Sequence, residues 1–230
     1  MTATVFPPRA WPMLPVQGTD ALYPVHRIFC VGRNYAAHAA EMGAEVDREA
    51  PFYFTKSALA LLTGGVLPYP PGTADFHHEI ELVVALGAPA FRIAKADAMG
   101  AVYGYATGLD MTRRDLQQIA KDKRRPWDLG KDGEGLAVIG PLTQAPNFTP
   151  ANQRIALDVD GSLRQEAALS DMVWTIPELI ADLSRFYHLG PGDLLMTGTP
   201  AGVGAVQPGA ALRGTIDGLA PVSVTIAAPE

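Results

Sequence analysis

Apolar and polar positions alternate most sharply across residues 77–86, where Glu79 and Glu81 interleave with Ile80 and Leu82 before the run turns continuously apolar. Alternate residues of a strand share a face. The pattern therefore predicts a β-strand with both carboxylates on one side and its far end deep in a core. Shorter apolar runs predict strands over 28–31, 52–54, 102–109 and 194–196. Residues 155–165 read as a hairpin turning at Asp160-Gly161, and 211–227 as short strands around Asp217-Gly218. Asn34 is a good N-cap for an alanine-rich helix stopped by Gly43, and Thr112 is a candidate cap for a helix carrying Arg114 and Gln117. Thr175-Ile176-Pro177-Glu178 is a capping box, followed by an apolar stripe of Ile176, Leu179, Ile180, Leu183 and Phe186 that Gly190 closes. Residues 94–99 read as a short helix or turn, and 45–50 as a charged loop. The proline-rich residues 1–25 are expected as an extended N-terminal arm lying on a single catalytic domain, 26–230. Many short strands and few helices give an α+β, predominantly β fold class.

Composition narrows the partners. The net charge of −6 does not favour nucleic acid. It leaves room for a small anionic substrate, because a local cation can reverse the field at a site. Cys30 is the sole cysteine, so one chain can build neither a disulfide framework nor a thiolate zinc cluster. It sits in an apolar run and reads as a packed thiol. No signal-peptide pattern opens the chain, and every long uncharged segment is interrupted by glycine and proline, so a cytoplasmic location without membrane partners is expected.

The candidate chemistry starts from the two glutamates. Like charges side by side at a buried position are unfavourable unless something positive lies between them. Carboxylate oxygens select a hard divalent cation. The alternative is a solvated polar face with His77 ion-paired to the glutamates. His38 and Glu41 are three apart on the first helix, the spacing of a carboxylate-oriented general base and equally of a surface pair. Arg114 and Gln117 can face one cleft. The basic segment 121–127 ends their helix and could attract an anion, and Lys131 follows it. Thr197-Gly198-Thr199-Pro200-Ala201-Gly202-Val203-Gly204 is a Gly-rich loop whose N–H groups and hydroxyls could hold an anion, without the lysine of a nucleotide P-loop.

The ordered set Gly32-Arg33-Asn34-Tyr35, His38 and Glu41, His78-Glu79-Ile80-Glu81, Asp110 with Arg114-Asp115-Leu116-Gln117, Lys131, and the 197–204 loop resembles the fumarylacetoacetate hydrolase family. The match runs from about Ile28 to the C-terminus. Within the family it is most similar to the bacterial fumarylpyruvate hydrolases of gentisate breakdown. The resemblance implies a mixed β-roll, usually a homodimer, centred on Mg²⁺ or Mn²⁺, with Ca²⁺ able to stand in within crystals. It implies Glu79, Glu81 and Asp110 as metal ligands and His38 with Glu41 as a water-activating dyad. Lys131, Gln117 and Arg114 would line the substrate and oxyanion region, and Thr199 with Gly198 would meet the substrate carboxylate. Arg33 and Tyr35 are further substrate-binding candidates, with Arg113 and Arg125 as alternatives to Arg33 for a remote carboxylate. One departure stands out: the family commonly has a Ser-Phe-Asp type run after the lysine, where this chain reads Asp132-Gly133-Glu134.

The implied activity is metal-dependent hydrolysis of a C–C bond in a 2,4-dioxo acid, fumarylpyruvate giving fumarate and pyruvate. An acylpyruvate hydrolase, a 2-oxo acid decarboxylase, a carboxymethyl-hydroxymuconate-type isomerase and a non-enzymatic dicarboxylate-binding protein are the rival readings. The His38–Glu41 pair favours hydrolysis, since isomerisation needs no activated water.

Overall fold

The computed structural model describes residues 4–41, 43 and 48–230. The chain forms β1 (Met13–Pro15), β2 (Leu22–Pro24), β3 (Arg27–Gly32), α1 (Ala36–Glu41), β4 (Phe52–Lys56), β5 (Leu61–Leu62), β6 (Gly65–Pro68), β7 (Phe76–His78) and β8 (Ile80–Leu86). Then follow β9 (Val102–Asp110), β10 (Thr112–Arg113), α2 (Arg114–Asp122), α3 (Asp128–Lys131), β11 (Ala137–Ile139), β12 (Thr143–Gln144), β13 (Arg154–Val159) and β14 (Ser162–Ala168). The last elements are α4 (Ile176–Leu183), β15 (Asp193–Met196), β16 (Gly204–Ala205), β17 (Ala211–Ile216) and β18 (Val222–Ala227). The fold is α+β and mostly β, as expected.

The largest sheet runs β4-β3-β15-β8-β9-β11-β5, with β12 also paired to β9. A second sheet runs β14-β13-β17-β18-β6. β8 shows how one strand serves two cores. Ile80, Leu82, Val84 and Leu86 enter the cluster shared with Ile155, Leu157, Leu212 and Ile216 of the second sheet and with Leu179 and Ile180 of α4. Val83 and Ala85 point the other way, into a cluster with Cys30, Met196, Leu14 and Val25. Covered on both faces, the strand is apolar without interruption apart from Glu81. Cys30 is fully buried, and that burial pushes its thiol well above the ordinary range, as befits a packed, unreactive thiol.

Several expected elements take another form. β1 and β2 of the expected arm make a hairpin that sets Leu14 opposite Tyr23, and both side chains are buried. Residues 45–47 of the expected charged loop lie outside the described residues. The capping box at Thr175 and Glu178 is present, but α4 stops at Leu183, and Phe186 of the expected stripe lies beyond its end, 66% exposed. Thr112 does not cap α2. It lies in β10, and its hydroxyl donates to Asp110 O at 3.2 Å.

Asn34 is not the cap of α1 either. Its Nδ2 donates to Trp174 O (3.0 Å) and Thr197 O (2.7 Å), and its Oδ1 accepts from Trp174 N (2.6 Å). One buried side chain thus ties the exit of β3 to the loops on either side of α4 and β15. Truncation would strand buried backbone groups, each costing about 1–3 kcal/mol. Asn34→Ala is expected to lower the unfolding free energy by roughly 3 kcal/mol. Urea denaturation followed by circular dichroism checks this, and a shift of a few tenths would mean that water replaces the bonds.

Candidate active site

Glu79 is the single residue between β7 and β8, not part of one continuous strand. It keeps the sheet register nonetheless. Asp110 N donates to Glu79 O at 2.8 Å, and the next pairs are Ile80 with Leu109 and Glu81 with Gly108. Glu79 therefore lies opposite Asp110, and Glu81 lies two residues along on the same face. One carboxylate oxygen from each of the three lies within 4.8 Å of the others, and all three residues are buried.

Three buried anions so close need counter-charge. Lys131 Nζ donates to Glu79 Oε2 (2.9 Å), Asp110 Oδ2 (2.7 Å) and Thr112 Oγ1 (2.8 Å). Arg114 Nη2 donates to Glu79 Oε1, and Lys56 Nζ stands 2.8 Å from Asp110 Oδ1. Burial alone would push the Glu79 carboxyl up, but Lys131 and then Arg114 more than reverse this and hold it below the usual carboxylate range. Burial likewise works against the Lys131 ammonium, while Asp110 and Glu79 overcome it and raise its pKa. Glu81 is the exception. Burial, then Asp110 and Glu79, push its carboxyl well above the ordinary value, against the charge of Lys131 and one backbone donor, Gly198 N at 2.8 Å.

These residues fit a divalent cation. All the donors are hard oxygens, as Mg²⁺ and Mn²⁺ prefer. Glu81 has no ion-pair partner among the described residues. Asp110 Oδ1 accepts no well-angled hydrogen bond despite its nearness to Lys56. With Lys56, Lys131 and Arg114 already matching the three carboxylates in formal charge, a bound divalent ion would leave the site positive and suited to an anionic ligand.

The cleft over the trio is lined by Arg33, His38, Glu79, Glu81, Arg114, Gln117, Lys121, Trp127, Lys131 and Thr199, among others. Of the expected residues it brings together the metal-ligand candidates Glu79 and Glu81, the base candidate His38, and Gln117, Arg114, Lys131, Arg33 and Thr199. Asp110 lies just beneath, bound to Lys131. His38 is buried on α1 with Nδ1 3.4 Å from Glu41 Oε2. Burial lowers its pKa despite the opposing pull of Glu79 and Glu41, so the imidazole is neutral at pH 7.

The Gly-rich loop holds anions, but they are the chain's own. Gly198 donates to Glu81, and Gly202 N donates to both oxygens of Glu41 at 3.1 Å, tying α1 to the loop. Both glycines need their positive φ and their missing side chain. A Cβ on Gly198 would fall 2.7 Å from Asn34 Cβ, and one on Gly202 2.1 Å from Arg164 O. Thr199 Oγ1 accepts from Gln165 Nε2 at 2.8 Å, which leaves its own proton free to donate. Tyr35 does not line the cleft. Its ring is 2% exposed and its hydroxyl has no partner among the described residues. Arg113 is engaged with Leu129 O (3.1 Å), and Arg125 faces a neighbouring hollow with Phe52 and Pro126. Of the three arginines weighed for a remote carboxylate, Arg33 is the one on the cleft wall.

Sequence reasoning missed Lys56 and Gln165. Lys56 ends the aromatic strand β4, a buried lysine whose partner is far off in sequence. Gln165 lies in the expected hairpin. Its Oε1 accepts from Ile80 N (3.0 Å) and stands 3.0 Å from His78 Nδ1, and its amide also donates to Pro200 O (2.9 Å). It thereby sets the segment that carries Glu79 and Glu81 against the Gly-rich loop. Neither residue has a local spacing signal, because every contact that defines it is long-range.

A family model described as fumarylacetoacetate (FAA) hydrolase C-terminal matches residues 27–227. The fumarylpyruvate hydrolase of Ralstonia sp. is 47% identical over 192 residues, 82% of this chain and 100% of that protein. The mitochondrial oxaloacetate tautomerase FAHD1 of Arabidopsis thaliana is 38% identical over 201 residues, 87% of this chain and 90% of that protein. The crystal structure of the Pseudomonas aeruginosa fumarylpyruvate hydrolase in complex with Mn²⁺ and pyruvate matches with a TM-score of 0.96 at 45% identity, covering 98% of this chain and 100% of that one. Matched along most of its length in sequence and nearly all of it in fold, the chain belongs to the fumarylacetoacetate hydrolase family of enzymes.

Proposed function

We propose that the chain hydrolyses the C–C bond between C3 and C4 of a 2,4-dioxo acid, with fumarylpyruvate and water giving fumarate and pyruvate. The observation that carries this reading is the buried trio of Glu79, Glu81 and Asp110 in one cleft with the neutral imidazole of His38. The trio would hold Mg²⁺ or Mn²⁺. When bound, the ion supplies Lewis-acid stabilisation of the negative charge that bond cleavage leaves on the pyruvate fragment.

The chain's own groups do the rest. Glu41 orients the imidazole through Nδ1, which leaves Nε2 to take a proton from water as it attacks C4. Gln117 Oε1 accepts from Arg114 Nη1 at 2.6 Å, so its amide Nε2 is turned outward as the donor for the C4 oxyanion. Lys131 has its three protons on Glu79, Asp110 and Thr112, which makes it the counter-charge of the trio rather than a second oxyanion donor. Thr199, oriented by Gln165, offers its hydroxyl proton to the substrate carboxylate. The proton that His38 gained returns to C3 of the departing fragment, which closes the balance. On this reading the enzyme serves aromatic breakdown of the gentisate type, as a homodimer.

A panel of fumarylpyruvate, acetylpyruvate and oxaloacetate with the Mn²⁺-loaded protein tests the proposal. Stoichiometric fumarate and pyruvate from the first is the expected result. The resemblance to an oxaloacetate tautomerase makes the contrary outcome specific: enol–keto conversion of oxaloacetate without cleavage of either dioxo acid.

A further inference from the structure

The face of α2 that lines the cleft carries Arg114, Gln117 and, one turn further, Lys121. The first two are engaged, Arg114 with Glu79 and Gln117, and Gln117 with Arg114. Lys121 is half-buried and Arg33, across the cleft, is exposed, and neither makes an ion pair among the described residues. Its ammonium lies 5.2 Å from the centroid of the Trp127 ring, which packs in turn on Phe52 (4.9 Å) and Phe54 (5.9 Å). That aromatic wall flanks the ammonium on the side of the cleft where Trp127 stands. Arg33 leaves β3 with a φ of 60°, in the left-handed region that a side chain rarely adopts.

The inner cations Lys56, Lys131 and Arg114 are matched by the trio, whereas the outer two are not. The Lys121 ammonium is pushed down by burial and then by Arg114 and Arg33, so these cations feel one another, and an anion between them would relieve the repulsion. The seven helical steps from Arg114 to Lys121 span about 10 Å, a length that a chain of roughly seven carbons bridges once side chains lean inward.

We infer that Lys121, with Arg33 across the cleft, selects ligands that carry a second carboxylate at the end remote from Glu79, Glu81 and Asp110. The inference rests on the reading that a 2-oxo acid end faces that trio. It makes Lys121 a specificity-determining residue for the acyl half and singles out dicarboxylic dioxo acids over those ending in a methyl group.

Binding tests it without turnover. Calorimetry on the Mn²⁺-loaded protein compares 2-oxoheptanedioate with 2-oxoheptanoate, which differ only in the remote carboxylate and lack the second oxo group needed for cleavage. A charged hydrogen-bonded contact supports roughly 30-fold tighter binding of the diacid by the wild type. Lys121→Met, which keeps the length and apolar stem, should lose most of that preference while its affinity for the monoacid changes far less. Lys121→Arg should restore the preference. Equal affinity of the wild type for both ligands, or an undiminished preference in Lys121→Met, overturns the inference. A Lys121-dependent preference in a protein that cleaves no dioxo acid would uphold it and defeat the proposed reaction instead.

Discussion

Glu79→Gln is expected to bind Mn²⁺ at least about 100-fold more weakly than the wild type and to lose its turnover with it. Groups that merely support a ligand cost about 10–100-fold in metal affinity, so loss of a donor oxygen should reach the upper end or beyond. The glutamine keeps the volume of the side chain but removes the charge that holds Lys131 and Arg114. Leaving buried cations without their partner costs on the order of 3–5 kcal/mol, so the variant should also melt earlier. Calorimetric titration with Mn²⁺, run beside circular dichroism to confirm folding, checks both effects. Wild-type affinity in a folded Glu79→Gln protein would remove Glu79 from the ligand set.

The second large effect separates chemistry from metal binding. His38→Ala should bind Mn²⁺ as the wild type does and lose turnover by about 10²–10⁴-fold, the usual contribution of a positioned base. His38 lies on α1 and makes its side-chain contact with Glu41, not with the acidic trio. The pH profile gives an independent handle. The base must be neutral, and burial sets the His38 pKa below its ordinary value of 6.5. The acid limb of kcat/KM in the wild type should therefore fall below pH 6.5, with full activity at neutral pH and loss as pH drops through the lowered pKa. Glu41 raises that pKa, so Glu41→Gln should move the limb to still lower pH. Near-wild-type hydrolysis by His38→Ala would take the dyad out of the mechanism.

How much of this was written in the order of residues varies with the range of the interaction. The alternation around Glu79 and Glu81 was legible because period two is local and the strand is buried on both faces. The capping box of α4 was legible for the same reason. Asn34 was misread because a cap and a long-range tether call for the same side chain, and only the fold brings Trp174 and Thr197 to it. Phe186 fit a helical stripe, but the helix ends a turn before it. In the site, the family motifs marked most of the residues that meet in the cleft, but not their partners. The Lys131 ammonium was expected on the substrate and lies on the acids, and Gly198 likewise serves Glu81. Lys56 and Gln165 were given no role because each is defined by contacts that no spacing rule encodes.

The account stands on a divalent ion held between β8 and β9. Anomalous diffraction from crystals soaked in Mn²⁺ tests it most directly. The expected result is one strong peak in contact with an oxygen from each of Glu79, Glu81 and Asp110. A map with no peak there, or with its peak elsewhere while Glu79 and Asp110 stay bound only to Lys56, Lys131 and Arg114, would contradict it.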